Sequence, residues 1–99
     1  MLTITATRRC QAGHESVLRD ALLDVARHVD EHEPDTIGFF VSQDGADPCI
    51  FTTYERFADQ AAMDRHNTSA AVARCFATIS PILDGDVVLL TGTELSAKT

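Results

Sequence analysis

An antiparallel sheet covered on one face by helices, the split βαβ or ferredoxin-like plan of the α+β class, is what this chain predicts from three observations. Segments with period-two and with three-to-four-residue apolar spacing follow one another in the order strand, helix, strand, strand, helix, strand. Pro34-Asp35 ends the longest helical pattern just before the second strand. The turn-rich run Asp44-Gly45-Ala46-Asp47-Pro48 then separates two strand patterns closely enough to make them a hairpin. Ninety-nine residues match one domain of ordinary size, so residues 1–99 are read as a single unit.

The first strand, 2–9, alternates Leu2, Ile4 and Ala6 with Thr3, Thr5 and Thr7 and is rich in β-branched residues. Ala12-Gly13-His14 breaks it. A long helix over 14–33 follows, because Val17/Leu18, Ala21/Leu22, Val25 and Val29 form one apolar stripe with Arg19, Asp24, Arg27 and Glu31 elsewhere. The second and third strands span 36–43 and 49–57. Two shorter helices are expected at 58–66 and 69–79, divided by Asn67-Thr68-Ser69, in which Thr68 or Ser69 can cap the second of them. The closing strand is expected at 86–94.

A sheet with helices on one side leaves its other side bare. Phe, Ile and Val side chains there would make an apolar patch too large for a lone protomer, so a second copy is expected to pack its own sheet against it, giving a homodimer. The composition argues against nucleic acid and membrane as partners. A net charge of −7 with scattered Lys and Arg opposes binding to nucleic acid or to an anionic membrane, and no apolar run approaches the ~20 residues of a membrane span. The start of the chain lacks a signal-peptide pattern, and the three cysteines, 10, 49 and 75, suit neither a disulfide framework nor a zinc site. A cytoplasmic protein with reduced thiols is expected.

The most informative stretch is FTTYERFADQAAMDRHNTS, residues 51–69. It closes a strand with Glu55 and Phe57 and then opens a helix with Ala61, Ala62 and, eleven residues after the Glu, His66. Together with HEPDTIGFFV at 32–41, this resembles the central signature of the antibiotic biosynthesis monooxygenase-like domains: Glu, one residue, an aromatic, then Ala-Ala, three residues and His. The resemblance covers almost the entire chain. It departs at Asp35, where Gly is common, and at Phe57, where Trp is frequent. It implies a dimeric α+β barrel with a cleft between helices and sheet in each subunit. Members of that family include cofactor-independent oxygenases of quinols and anthrone-type polyketides, heme-degrading enzymes and isomerases of phosphorylated sugars.

His66 is the first candidate for chemistry, since a neutral imidazole takes a proton from a phenol or quinol near neutral pH. The resemblance supplies the rest: an electron-rich deprotonated ring passes an electron to O2 without metal or flavin. A helix-end His bonded to a terminal carbonyl is the plain alternative. Glu55 shares a strand face with Phe51, Thr53 and Phe57, where it could orient His66 or bind a substrate hydroxyl; a structural salt bridge is its competing role. Phe39, Phe51, Phe57 and Phe76 are expected to wall an apolar cleft. Thr5 is included as a substrate-binding hydroxyl, on the strand where heme-degrading members place an Asn, although strand propensity also accounts for it. The absence of Trp weighs against heme.

His28 and His32 stand four apart, a spacing able to hold metal, but read as a solvated helix face, so no metal is expected. The glycines are isolated and form no phosphate loop, so neither nucleotide nor flavin is called for, and no cofactor is expected. The expected function is therefore a cofactor-independent monooxygenase of a small aromatic or quinol with O2. Two other classes stay open: an acid/base enzyme such as an isomerase on a polar carbonyl compound, which needs cationic anchors in the cleft, and a non-catalytic dimeric module that binds a small molecule.

Overall fold

A computed structural model describes residues 1–98. Its elements run β1 (Leu2–Arg9), α1 (Glu15–His32), β2 (Thr36–Gln43), β3 (Ile50–Phe57), α2 (Gln60–Asn67), α3 (Ala70–Ile79), one 3₁₀ turn (Ser80–Ile82) and β4 (Val88–Thr93). The four strands form one antiparallel sheet in the order β2-β3-β1-β4, the ferredoxin-like α+β arrangement expected. Boundaries agree with the sequence pattern to within two residues at every end.

Local chemistry explains the small differences. α2 starts at Gln60 because Asp59 is extended and its carboxylate accepts the Ala62 N–H at 2.9 Å. Ser69 does the same for α3 by accepting from Val72 N–H at 3.2 Å. α1 ends where Pro34 cannot continue it, with the Glu33 N–H closing onto the Val29 carbonyl at 3.0 Å. The β2-β3 loop is tied by Asp44, whose carboxylate accepts from the backbone of Ala46 and Asp47.

Burial follows the alternation of the strands. Ile4, Ala6 and Arg8 of β1 and Phe51, Thr53, Glu55 and Phe57 of β3 point toward the helices. α1 answers with Leu18, Ala21, Leu22, Val25 and Val29. The apolar contacts form two clusters, one around Leu18, Phe51 and Ile79 and the other around Ile4, Phe57 and Met63.

Among the described residues nothing covers the opposite face of the sheet. Register places Thr7 beside Val88, Thr5 between Tyr54 and Leu90, and Tyr54 beside Phe40 on that side. Phe40, Val88 and Leu90 are more than half exposed. Gly38 makes room for the Phe40 ring, since a Cβ there would stand 2.8 Å from Phe40 Cε2. Among the described residues no helix is long and apolar enough to cross a membrane.

Candidate functional site

A cavity of about 220 Å³ lies between the sheet and the helices. Its floor is the inward face of β1, β2 and β3, with Ile4, Ala6, Arg8, Phe39, Thr53 and Glu55. Leu22 and Val25 of α1, His66 and Asn67 of α2, and Val72, Cys75, Phe76 and Ile79 of α3 complete it, with Leu89 of β4. Phe76 and Leu89 are about half exposed, so the cavity reaches solvent beside them. Its walls are mostly apolar and its polar groups converge, the usual design of a small-molecule site.

His66 is 4 % exposed and held from both sides. Nδ1 lies 2.8 Å from Glu33 Oε1 in a hydrogen bond, and Nε2 lies 3.2 Å from Glu55 Oε1 in an ion-pair contact of poorer angle. The rings of Phe39 and Phe57 stand tilted against the imidazole, with centroids 5.5 and 5.4 Å away. Burial, the largest single influence, pushes the His66 pKa down; Glu55 and Glu33 together outweigh it and raise it above the usual 6.5. The two carboxylates thus favour the charged imidazole, and each ring nitrogen faces a carboxylate oxygen.

The chain of polar contacts extends beyond His66 in both directions. Glu33 Oε1 also accepts from the Thr36 hydroxyl at 2.7 Å, and His28 Nε2 stands 3.1 Å from Oε2 outside hydrogen-bonding geometry. Glu33, His28 and Thr36 line a second, polar depression, so the far end of the chain opens toward a different part of the surface. On the cavity side the Thr53 hydroxyl donates to Glu55 Oε2 at 2.9 Å, while Arg8 Nη2 donates to the Thr53 oxygen at 3.4 Å. A continuous polar path thus runs from Arg8 through Thr53, Glu55 and His66 to Glu33. Such a path can accept a proton inside the cavity and discharge it outside.

The expected site residues divide into two groups. His66, Glu55, Phe39 and Phe76 all line the cavity. Phe51 and Phe57 share its strand face, but they do not line it: Phe51 belongs to the Leu18 cluster and Phe57 to the Ile4 cluster, each with at most 1 % exposure. Phe57 acts on the site only by packing against His66. Thr5 lies on the opposite face of the sheet, because the side of β1 toward the helices is taken by Ile4, Ala6 and Arg8.

Arg8, Thr53 and Glu33 were not singled out by the sequence reading. Arg8 had a legible signal: it continues the apolar register Ile4, Ala6, which puts a guanidinium on the buried face. Glu33 had none beyond its place before Pro34. Burial lowers the Arg8 pKa, with Glu55 opposing, yet a guanidinium keeps its charge in a protein. Burial also pushes the Cys75 thiol up, which leaves it neutral and poorly nucleophilic. Among the described residues no group of three His, Cys, Asp or Glu side chains is arranged to hold a metal ion.

Residues 1–78 match the model of the family described as antibiotic biosynthesis monooxygenase. No curated protein matches the sequence significantly. Solved structures resemble the fold closely. A candidate antibiotic biosynthesis monooxygenase from Caulobacter crescentus superposes with a TM-score of 0.89 at 18% identity, covering 96% of this chain and 90% of that one. Rv0793 from Mycobacterium tuberculosis gives 0.88 at 18% identity over 99% and 98% of the two chains. PA3566 from Pseudomonas aeruginosa gives 0.85 at 24% identity over 96% and 94%. At these identities the likeness is one of fold.

Proposed function

Because the chain belongs to the antibiotic biosynthesis monooxygenase family, we propose that it is a cofactor-independent monooxygenase of a small aromatic or quinol, working as a cytoplasmic homodimer. The observation that carries this reading is the buried Glu33–His66–Glu55 chain ending in a mostly apolar cavity. A hydroxyl of the bound ring gives its proton to the Glu55 carboxylate. The His66 cation beside it stabilises the oxyanion that results, and Glu33 keeps the imidazole oriented.

The deprotonated ring then transfers one electron to O2, and the radical pair closes a carbon–oxygen bond. Glu55 returns its proton to the peroxide, and the resulting hydroperoxide loses water across that carbon to leave a carbonyl, so one oxygen atom enters the product and the other leaves as water. Phe39, Phe76, Val72 and Leu89 supply the apolar walls that hold an aromatic ring and keep bulk water from the oxyanion. Dimerisation would cover Phe40, Tyr54, Val88 and Leu90 on the bare sheet face.

Oxygen consumption with 1-naphthol and anthrone as substrates tests the reading. Uptake is expected with stoichiometric quinone or ketone formation, and Glu55→Gln, which keeps the shape but cannot accept a proton, should lower kcat by about 10²–10⁴-fold. Uptake that survives Glu55→Gln unchanged removes the carboxylate as base. A second reading, acid/base chemistry on a small polar carbonyl compound, is favoured by one observation, the Arg8 cation in the cavity wall. Proton exchange from such a compound without O2 uptake would select it.

A further inference from the structure

Arg8 is the one side chain of the cavity with buried polar atoms that lack a hydrogen-bond partner among the described residues. Its side chain is carried by the inward face of β1, is only 7 % exposed, and lines the cavity. Nη2 makes a long bond of 3.4 Å to the Thr53 hydroxyl, while Nε and Nη1 are buried without a hydrogen-bond partner. Buried guanidinium groups are ordinarily paired with carboxylates, because the charge loses its hydration and regains it only from an acceptor. Glu55 does not serve: Thr53 stands between them, accepting from Arg8 and donating to Glu55. The chain carries a net charge of −7, and no other Lys or Arg side chain lines the cavity.

We infer that Arg8 is the anchor for a carboxylate on the substrate, so that the ligand of this cavity is a hydroxyaryl carboxylic acid. The inference rests on the site reading above and deepens it by naming the substrate class. The carboxylate accepts from the free Arg8 nitrogens at one side of Thr53. The hydroxyl to be deprotonated then lies on the other side, toward Glu55 and His66, one hydroxyl's width along the same strand row. Anchor and base are thereby set at a fixed separation by the sheet, which orients a flat ring between Phe39 and Phe76. The charges also balance. Arg8 neutralises the carboxylate and His66 the developing phenolate, so the second negative charge forms without an unpaired ion in the cavity.

Binding of 1-hydroxy-2-naphthoate against its neutral amide, 1-hydroxy-2-naphthamide, tests this by calorimetry and thermal shift on the full chain, with 2-hydroxybenzoate and 2-hydroxybenzamide as the smaller pair. The acid of at least one pair is expected to bind roughly 30-fold or more tightly than its amide, the scale of a buried charge pair. Arg8→Met should erase that preference and Arg8→Lys should keep part of it. Arg8→Met should also leave the ligand-free melting temperature equal or higher, since it replaces an unpaired buried charge by an apolar side chain. The wild-type comparison stands whether or not a variant folds. Equal binding of acid and amide, or no binding of either acid at millimolar concentration, overturns the inference. Failure here with O2 uptake on neutral naphthol leaves the oxygenase reading intact. Arg8-dependent acid binding without O2 uptake on any of these ligands does the reverse.

Discussion

Against the helices the sheet buries Arg8, Thr53 and Glu55, whereas its other face leaves Phe40, Tyr54, Val88 and Leu90 in contact with water. The same four strands build both faces, and at these positions the usual partition of polar and apolar residues is inverted. Each inversion costs stability in an isolated protomer, through desolvated charge on one side and exposed hydrocarbon on the other. The polar face gains by connecting through hydrogen bonds and one ion-pair contact into a path that ends at a cavity. The apolar face has no such internal remedy, which is why a second copy of the chain is the partner proposed for it.

Breaking the polar path at its centre gives the largest expected effect. His66→Ala leaves Glu33 and Glu55 facing one another without the imidazole between them, so unfolding in urea should show a loss of about 3–5 kcal/mol. A loss below 1 kcal/mol would mean that the carboxylates rehydrate freely and that the path is not sealed.

The sign of the pH dependence sharpens the same point. His66 has a folded-state pKa raised above its unfolded value near 6.5. Its pairing therefore stabilises the fold fully below pH 6.5, and that contribution is lost as pH rises through the folded value. The melting temperature should decline on the alkaline side of 6.5, and Glu33→Gln, which removes one of the two carboxylates, should flatten the decline. A rise in stability over that interval contradicts a His66 pKa raised by Glu33 and Glu55.

On the bare face the expected effect is on association. Tyr54→Asp should weaken the dimer by about 2 kcal/mol or more in sedimentation experiments, the scale of an aromatic interface residue, and more than Arg56→Ala does. Arg56 already satisfies itself within the chain through two bonds of 2.8 Å to Glu94. A wild-type protein that stays monomeric at micromolar concentration would falsify the homodimer.

The smallest effect distinguishes the two faces of a single strand. Thr5→Val should leave oxygen uptake and ligand affinity unchanged and shift monomer stability by no more than about 0.5 kcal/mol, because its side chain points away from the cavity. Arg8, three residues on, should be sensitive in the carboxylate-binding assay. Equal sensitivity at both positions would mean that the cavity is not where the ligand binds.

The sequence by itself determined the element order, since strand alternation, the helical stripe of α1, Pro34 and the cap at Ser69 are all local rules acting over a few residues. It also put Glu55 on the same strand face as Thr53 and brought His66 close behind on the next helix. Its Leu2, Ile4, Ala6 register also marked the buried side of β1; what it could not fix was the use of that side, because Arg8 is the least expected residue for a buried position and Thr5 was read as facing the cleft. Nor could it distinguish Phe39 and Phe76, which wall the cavity, from Phe51 and Phe57, which plug the core beside it. The Glu33–His66 bond spans 33 residues and exists only because α1 ends, β2 begins and α2 packs at one corner of the sheet. Chain-local propensities carry no information about such a meeting; it is decided by the packing of whole elements, and the unpaired nitrogens of Arg8 became visible only once that packing had closed around them.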